Sequence, residues 1–371
     1  MTLRRRHGSA LLAALLLACS SAKEPVRIGL AGPFSDPVGA PMKQAAELAV
    51  AQINASGGIA GRPVELVARD DFGEPDSAVS VATDLVGAGV VAVIGHVYSG
   101  TTLATAPVYN DAGITQISPS STAPSISDAG DYTFRVCPSD LQQGAALARF
   151  ASERLGVRRG TIFYLNDEYG RGLRATFASE FARLGGKLDE VVPYLGEAPD
   201  LSIFLERVAR RGTSEFIFIS GNRSEAEQAL ATARARGIRV PFLGGDGLEG
   251  IEQAASLAEG TYVSNGYLAS LDTQRNNEFV AAWRTRYPDG SEPNQPAAAT
   301  YDILFLLRDV IARVGTDRVK IRDAVADIGR RSPAYQGVTG DIAFDARGDV
   351  PKQRVVIGVV AQGRMIAVEE M

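Results

Sequence analysis

The chain has 371 residues, 45% of them hydrophobic and 22% charged, with a formal net charge of −5. That length suits two lobes of ordinary size rather than one. The mild acidity, with no long block of like charge, excludes a basic nucleic-acid surface and a charged tail.

The first residues stand outside the fold. Arg4-Arg5-Arg6 forms a positive segment, and Ala10 to Ala18 an unbroken apolar one. That run is about half of the roughly 20 residues needed to cross a bilayer, so residues 1–18 read as a signal peptide rather than a membrane span. Leu16-Leu17-Ala18-Cys19 resembles the lipobox of bacterial lipoproteins, in which the cysteine becomes the lipidated first residue. Residues 19–23 are then a lipidated tether, and the mature chain is expected outside the cytoplasm, anchored to a bacterial membrane. Cys137 is the other cysteine; with Cys19 lipidated it stays unpaired, and no disulfide staples the fold. Its setting, Phe134 to Pro138, predicts a small buried residue at a strand end.

Val26 to Ala31 reads as a buried strand, followed by a loop over Gly32 to Gly39 and a helix from Pro41 to Asn54, with Pro in its first turn and Ser56-Gly57-Gly58 as its stop. Strand Val64 to Arg69, helix Ser77 to Val86 and strand Val90 to Ile94 follow. Next come a helix over Leu103 to Tyr109, distorted by Pro107, and strand Ile114 to Ile117. A second series begins after Tyr132 to Val136. Its helices are Leu141 to Leu155, Gly172 to Leu184, Leu201 to Arg210 and Ser224 to Arg236, and its strands Thr161 to Leu165, Leu188 to Tyr194, Glu215 to Ser220 and Val240 to Gly244. Thr261 to Asn265 returns the chain to helices at Glu278 to Tyr287, Ala297 to Val314 and Val319 to Ile328. Strands Gly340 to Phe344, Arg354 to Ala361 and Met365 to Val368 close it. Such alternation predicts an α/β fold of two doubly wound, Rossmann-like lobes.

Ligands of open parallel sheets bind beyond the carboxyl ends of the strands. The loops there are Gly95 to Thr102, Ser118 to Thr122, Asn166 to Gly170, Ser220 to Arg223 and Gly244 to Gly247. In the first, Ser99, Thr101 and Thr102 occupy a strand-to-helix turn whose free N–H groups and helix dipole suit a carboxylate. Hydroxyls cluster in the first half, and acid or amide groups in the second. A zwitterion held in a cleft needs that pairing.

The residue inventory argues against catalysis. His96 is the one histidine after the leader, so a His/Cys metal site is excluded, and no G-x-S-x-G elbow accompanies Ser99. The chain carries no G-x-x-x-x-G-K-[ST] phosphate loop. Asp70, Asp71, Glu74 and Asp76 lack the alternation of a calcium loop and read as solvated carboxylates at a strand end.

Ile28 to Pro33, Ile53-Asn54 with Gly57-Gly58-Ile59, Asp70-Asp71 with Pro75, Ile94-Gly95-His96, Ile117-Ser118-Pro119, Tyr169-Gly170 and Ala258-Glu259-Gly260 occur in an order spanning the mature chain. With them the chain resembles the branched-chain amino-acid (leucine/isoleucine/valine) binding proteins of the type I periplasmic binding fold, which feed ABC importers. The resemblance implies two lobes joined by three crossings, 24–138 with 266–352 and 139–265 with 353–371, closing on the ligand. It also implies that Ser99, Ser121 and Thr122 bind the α-carboxylate and part of the ammonium. Asp246 stands for a glutamate that receives the ammonium, and Tyr169 for a tyrosine on the facing lobe. Where leucine-preferring members place aromatic rings, this chain has Val38, Asn222 and Pro296, with Arg223 close by. Gly73 and Tyr98 replace two bridging cysteines.

The sequence thus predicts a lipid-anchored, extracytoplasmic, monomeric substrate-binding protein. It would capture an amino acid or analogue through Tyr98, Ser99, Ser121, Thr122, Tyr169, Asn222 and Asp246 and deliver it to an ABC permease, with no cofactor, metal or catalytic residue. Amide, urea-like or small-carboxylate binding, and sensing without transport, are the alternatives. Cys19→Ser is expected to abolish lipid attachment, measured as loss of an incorporated fatty-acid label; a variant that still carries the label would refute the lipobox.

Overall fold

The computed structural model describes residues 23–196 and 200–370. The leader and Cys19 lie outside the described residues.

The first half alternates as β1 (Val26–Gly32), α1 (Ala40–Ala55), β2 (Val64–Asp70), α2 (Pro75–Gly87), β3 (Ala92–Ile94), α3 (Ser99–Asp111), β4 (Thr115–Ser118) and β5 (Thr133–Arg135). The second runs α4 (Asp140–Arg149), β6 (Arg159–Leu165), α5 (Glu168–Arg183), β7 (Lys187–Tyr194), α6 (Ser202–Arg211), β8 (Phe216–Ser220), α7 (Arg223–Ala235), β9 (Phe242–Gly244) and β10 (Tyr262–Asn265). Helices α8 (Gln274–Arg286), α9 (Gln295–Val314) and α10 (Arg318–Ala326) precede the short β11 (Tyr335–Gln336) and β12 (Asp341–Ile342), then β13 (Val356–Ala361) and β14 (Arg364–Glu370).

One sheet has the parallel order β2-β1-β3-β4-β5. The other has the order β14-β13-β10-β9-β8-β6-β7, parallel from β10 to β7 and antiparallel across β13 and β14. β1 and β3 are apolar along almost their whole length because helices cover both faces. On one face α1 and α9 pack together over Ile28, Leu30 and Ile94; on the other, Val81, Leu85 and Tyr109 meet Ala31 and Val93. The chain leaves the first sheet after β5, returns after β10 so that α9 can pack there, and leaves again for β13. It therefore passes between the sheets three times.

Three expectations need correction. Helix α3 begins at Ser99 rather than Leu103, so Ser99, Thr101 and Thr102 form its first turn and Tyr98 its cap. Short hydroxyls allow this by bonding back to the turn: Thr101 Oγ1 donates to Tyr98 O at 2.8 Å, and Thr105 Oγ1 to Thr101 O at 2.9 Å. The strand expected over Gly340 to Phe344 is only β12, paired with β11. Asp71 is fully buried, not solvated, because His96 reaches back to it; Asp70 accepts Phe34 N at 3.2 Å and Ser35 N at 3.1 Å and so fixes the loop after β1. At Gly95, φ is +140°, and a Cβ would lie 2.3 Å from Ala31 O, which only glycine avoids.

Arg135, at the end of β5, is fully buried. Its Nε donates to Asp349 Oδ1 at 2.7 Å, Nη2 to Ser127 Oγ at 2.7 Å, and Nη1 to Thr122 O at 3.0 Å and Ala123 O at 2.8 Å. One cation thus ties the loop after β4 to the last crossing. Arg135→Met is expected to cost roughly 3–5 kcal/mol, because it leaves a carboxylate and two carbonyls without their buried donor. Urea unfolding measures the loss, and a change below about 1 kcal/mol would refute this role.

Candidate functional site

The strand ends that carry the loops singled out by sequence face one another across the cleft between the sheets. On the first side, Thr102 Oγ1 and Ser121 Oγ share a hydrogen bond of 2.7 Å, Ser121 Oγ donates to Val97 O at 3.0 Å, and Ser99 Oγ accepts Ala123 N at 3.1 Å. Ser99, Ser121 and Thr122 therefore meet at the N-terminus of α3, where backbone N–H groups lack helical partners. All three are buried.

On the second side, the Tyr169 hydroxyl donates to Asp246 Oδ1 at 3.0 Å and accepts Gly247 N at 2.8 Å. Tyr169 lies in the first turn of α5, whose cap Asp167 accepts Gly170 N at 2.7 Å, and Asp246 opens a 3₁₀ turn after β9. Burial pushes the Asp246 carboxyl up to about 6 against the opposing pull of Tyr169 and Gln143. Gly172 of α5 packs so tightly on Pro124 that a Cβ there would come within 2.7 Å, so the two sides are in contact.

Asp140 stands between them, and sequence reasoning missed it. It is fully buried, its backbone N–H donates to Thr122 O at 2.8 Å, and neither carboxylate oxygen has a hydrogen-bond partner among the described residues. Thr122 Oγ1 is likewise without one; it lies near enough to Asp140 to favour the charge but is not aligned as a bond. Burial, then the Asp246 charge, hold the Asp140 carboxyl well above the ordinary range. In sequence the residue is disguised: Ser139-Asp140-Leu141-Gln142 reads as a capping box with an acid in the first turn, and that box is present.

Tyr98 and Asn222 stand apart from these groups. The Tyr98 hydroxyl donates to Asp36 Oδ2 at 3.2 Å, and its ring covers Gly73, where a Cβ would lie 2.8 Å away. Asn222 caps α7 beside the buried Glu225, whose charge is felt at the Tyr98 hydroxyl opposite. His96 faces the core: Nδ1 lies 2.5 Å from Asp71 Oδ2 and Nε2 3.2 Å from the Tyr109 hydroxyl. Both ring nitrogens are thus engaged away from Ser99, and among the described residues the His96 ring pairs with no serine. Among the described residues no group of three or more His, Cys, Asp or Glu side chains could hold a metal, and no helix is long and apolar enough to cross a membrane.

Two doubly wound lobes, three crossings and a cleft that sets hydroxyls and N–H groups against carboxylates define a hinged solute-binding module of the type I periplasmic binding fold. The chain belongs to the periplasmic binding protein family, whose model matches residues 25–364. It is 28% identical over 341 residues to the leucine-, isoleucine-, valine-, threonine- and alanine-binding protein of Pseudomonas aeruginosa, covering 89% of this chain and 88% of that one. The branched-chain amino acid transporter substrate-binding protein LivJ of Streptococcus pneumoniae, solved with isoleucine, superposes with a TM-score of 0.85 at 28% identity over 94% of this chain and 99% of its own. An ABC transporter substrate-binding protein of Desulfitobacterium hafniense, solved with leucine, does so with a TM-score of 0.81 at 31% identity, over 93% and 100%.

Asp246 generates a pH prediction. Its folded-state pKa of about 6 lies above the ordinary 3.8, so the folded protein holds the proton more tightly than the unfolded chain. Stability of the empty protein therefore falls as pH rises from roughly 4 through 6. Asp246→Asn is expected to stabilise it by roughly 1–2 kcal/mol at pH 7.5 and by almost nothing near pH 4, as partial exposure reduces the full linkage value. Urea unfolding at the two pH values measures this; a gain at pH 4 as large as at pH 7.5 would refute it.

Proposed function

We propose that the cleft captures a free α-amino acid or close analogue and that the protein delivers it to an ABC importer. The observation that carries this reading is the buried Asp140, whose two carboxylate oxygens have no partner among the described residues, standing beside Asp246 and opposite the hydroxyl-lined N-terminus of α3. Two carboxyls with raised proton affinity form a deficit of positive charge, and an ammonium group fills it. The α-carboxylate lies on Ser99, Ser121 and Thr122 and the α3 N–H groups, while the ammonium meets Asp246, Asp140 and the Tyr169 hydroxyl. Because the two sets of contacts belong to different lobes, 24–138 with 266–352 and 139–265 with 353–371, the ligand favours the closed arrangement by bridging them.

The protein acts as a monomer, outside the cytoplasm, held near its permease by lipid on Cys19. The amino-acid ligands of its relatives support the head-group assignment. Val38, Asn222 and Pro296 leave the tail end of the cleft open to a different preference.

A thermal-shift panel of amino acids, amides and small carboxylates tests the reading, since a ligand of the folded state raises the midpoint. Amino acids are expected to raise it. Asp246→Ala and Asp140→Ala are each expected to weaken the best of them by roughly tenfold or more in calorimetry, as when a buried charge partner is lost. A response to amides or plain carboxylates alone, or unchanged affinity in both variants, would overturn it.

A further inference from the structure

Beside the head-group clamp lies a chamber of about 470 Å³, a size suited to part of a small molecule. Pro37, Val38 and Asn294 form one wall, and Arg223, Glu249 and Gln253 face them from the other half of the molecule. Two structural links join it to the clamp. Glu249 stands three residues beyond Asp246, and its Oε1 accepts a 2.8 Å hydrogen bond from the backbone N–H of Gln295, the first residue of α9. The Gln295 side chain in turn donates to Pro119 O at 2.8 Å, in the loop that carries Ser121 and Thr122. A ligand whose head lies between Thr122 and Asp246 therefore has this chamber next to it.

The charges lining the chamber are unevenly matched. Arg223 is paired with Glu227 at 3.3 Å and bonded to Gln253 at 3.2 Å, and Arg284 is paired with Glu292 at 2.8 Å. Glu249, in contrast, meets the neutral N–H of Gln295, with Asn265 within reach. Burial pushes its carboxyl up to about 8, with Asp246 and Glu252 adding to the effect. A carboxyl in this setting gains from any further donor brought into the chamber. Val38, Leu268 and Met365 supply apolar surface to cover the methylenes of a chain leading there.

We propose that this chamber is a side-chain subsite and that Glu249 selects amino acids whose tails end in N–H donors, as amide, ammonium or guanidinium groups do. This rests on the amino-acid reading above and assigns the tail of that same ligand. The selectivity arises because a donor-bearing tail adds a hydrogen bond to a carboxyl that otherwise meets only neutral N–H groups, and an apolar tail adds none.

Calorimetry on the mature chain with L-leucine, L-glutamine, L-lysine and L-arginine tests it, since all four share one head group. At least one donor-tailed ligand is expected to bind roughly tenfold or more tightly than leucine. Glu249→Ala is expected to erase that preference by weakening the donor-tailed ligand roughly tenfold more than it weakens leucine. Glu249→Gln, which keeps an acceptor for the Gln295 N–H, is expected to fold as the parent does and retain part of the preference. Leucine binding more tightly than the other three, or a loss equal for all four ligands in Glu249→Ala, would overturn the subsite and leave the amino-acid reading standing. Absence of binding by all four would overturn that reading itself, and the subsite with it.

Discussion

A single buried cation, the Arg135 guanidinium, sets the shape of the cleft's first wall. Its Nη1 holds the carbonyls of Thr122 and Ala123, and its Nε and Nη2 reach Asp349 and Ser127. A loop of small residues such as Ser118 to Ala123 has little packing of its own to fix it, so charge-assisted hydrogen bonds from within the lobe do so. The Ser121 hydroxyl then meets Val97 O and Thr102, which aligns the loop with the start of α3. The geometry of the hydroxyls thus follows from a residue that is fully buried within the lobe.

The opposite wall is built on the reverse principle. Where Arg135 and its partners are satisfied, Asp140 has two buried oxygens without a partner, and Asp246 has Tyr169 and Gln143 close by but no cation. A buried carboxylate in this condition is costly to the empty protein. The cost is concentrated near the place where the two halves meet, at the packing of Gly172 on Pro124. One side is satisfied within the protein, and the other keeps two carboxylate oxygens of Asp140 that have no partner among the described residues.

The alternation of apolar strands and amphipathic helices was readable in the sequence because each strand between β1 and β10 is bounded by Gly, Pro or polar turn residues, and tertiary packing alters few of their limits. The limits that shifted lie where local and distant interactions compete: α3 gains a turn because hydroxyls bond back to it, and Asp71 is buried because His96 comes to it from 25 residues away. Within the cleft, Ser99, Ser121, Thr122, Tyr169 and Asp246 were visible as loop residues after strands or through the family resemblance. Asp140, Arg135 and Glu249 were not. Asp140 looks like a helix-capping neighbour, Arg135 like the edge of a strand, and Glu249 like a surface turn. Their roles depend on partners more than 12 residues away, at Thr122 and Asp246, at Asp349, and at Gln295.

The aromatic ring of Tyr98 lies where the missing Cβ of Gly73 leaves space, 2.8 Å from that position. This contact holds the loop after β2 against the cap of α3 by shape alone. The one thiol among the described residues, Cys137, is fully enclosed, and burial raises its pKa well above the ordinary thiol range, so little reactive thiolate forms. Among the described residues the fold therefore rests on no disulfide. A fold made in this way has no cross-link to wait for while it forms, and a reductant finds none to break among the described residues.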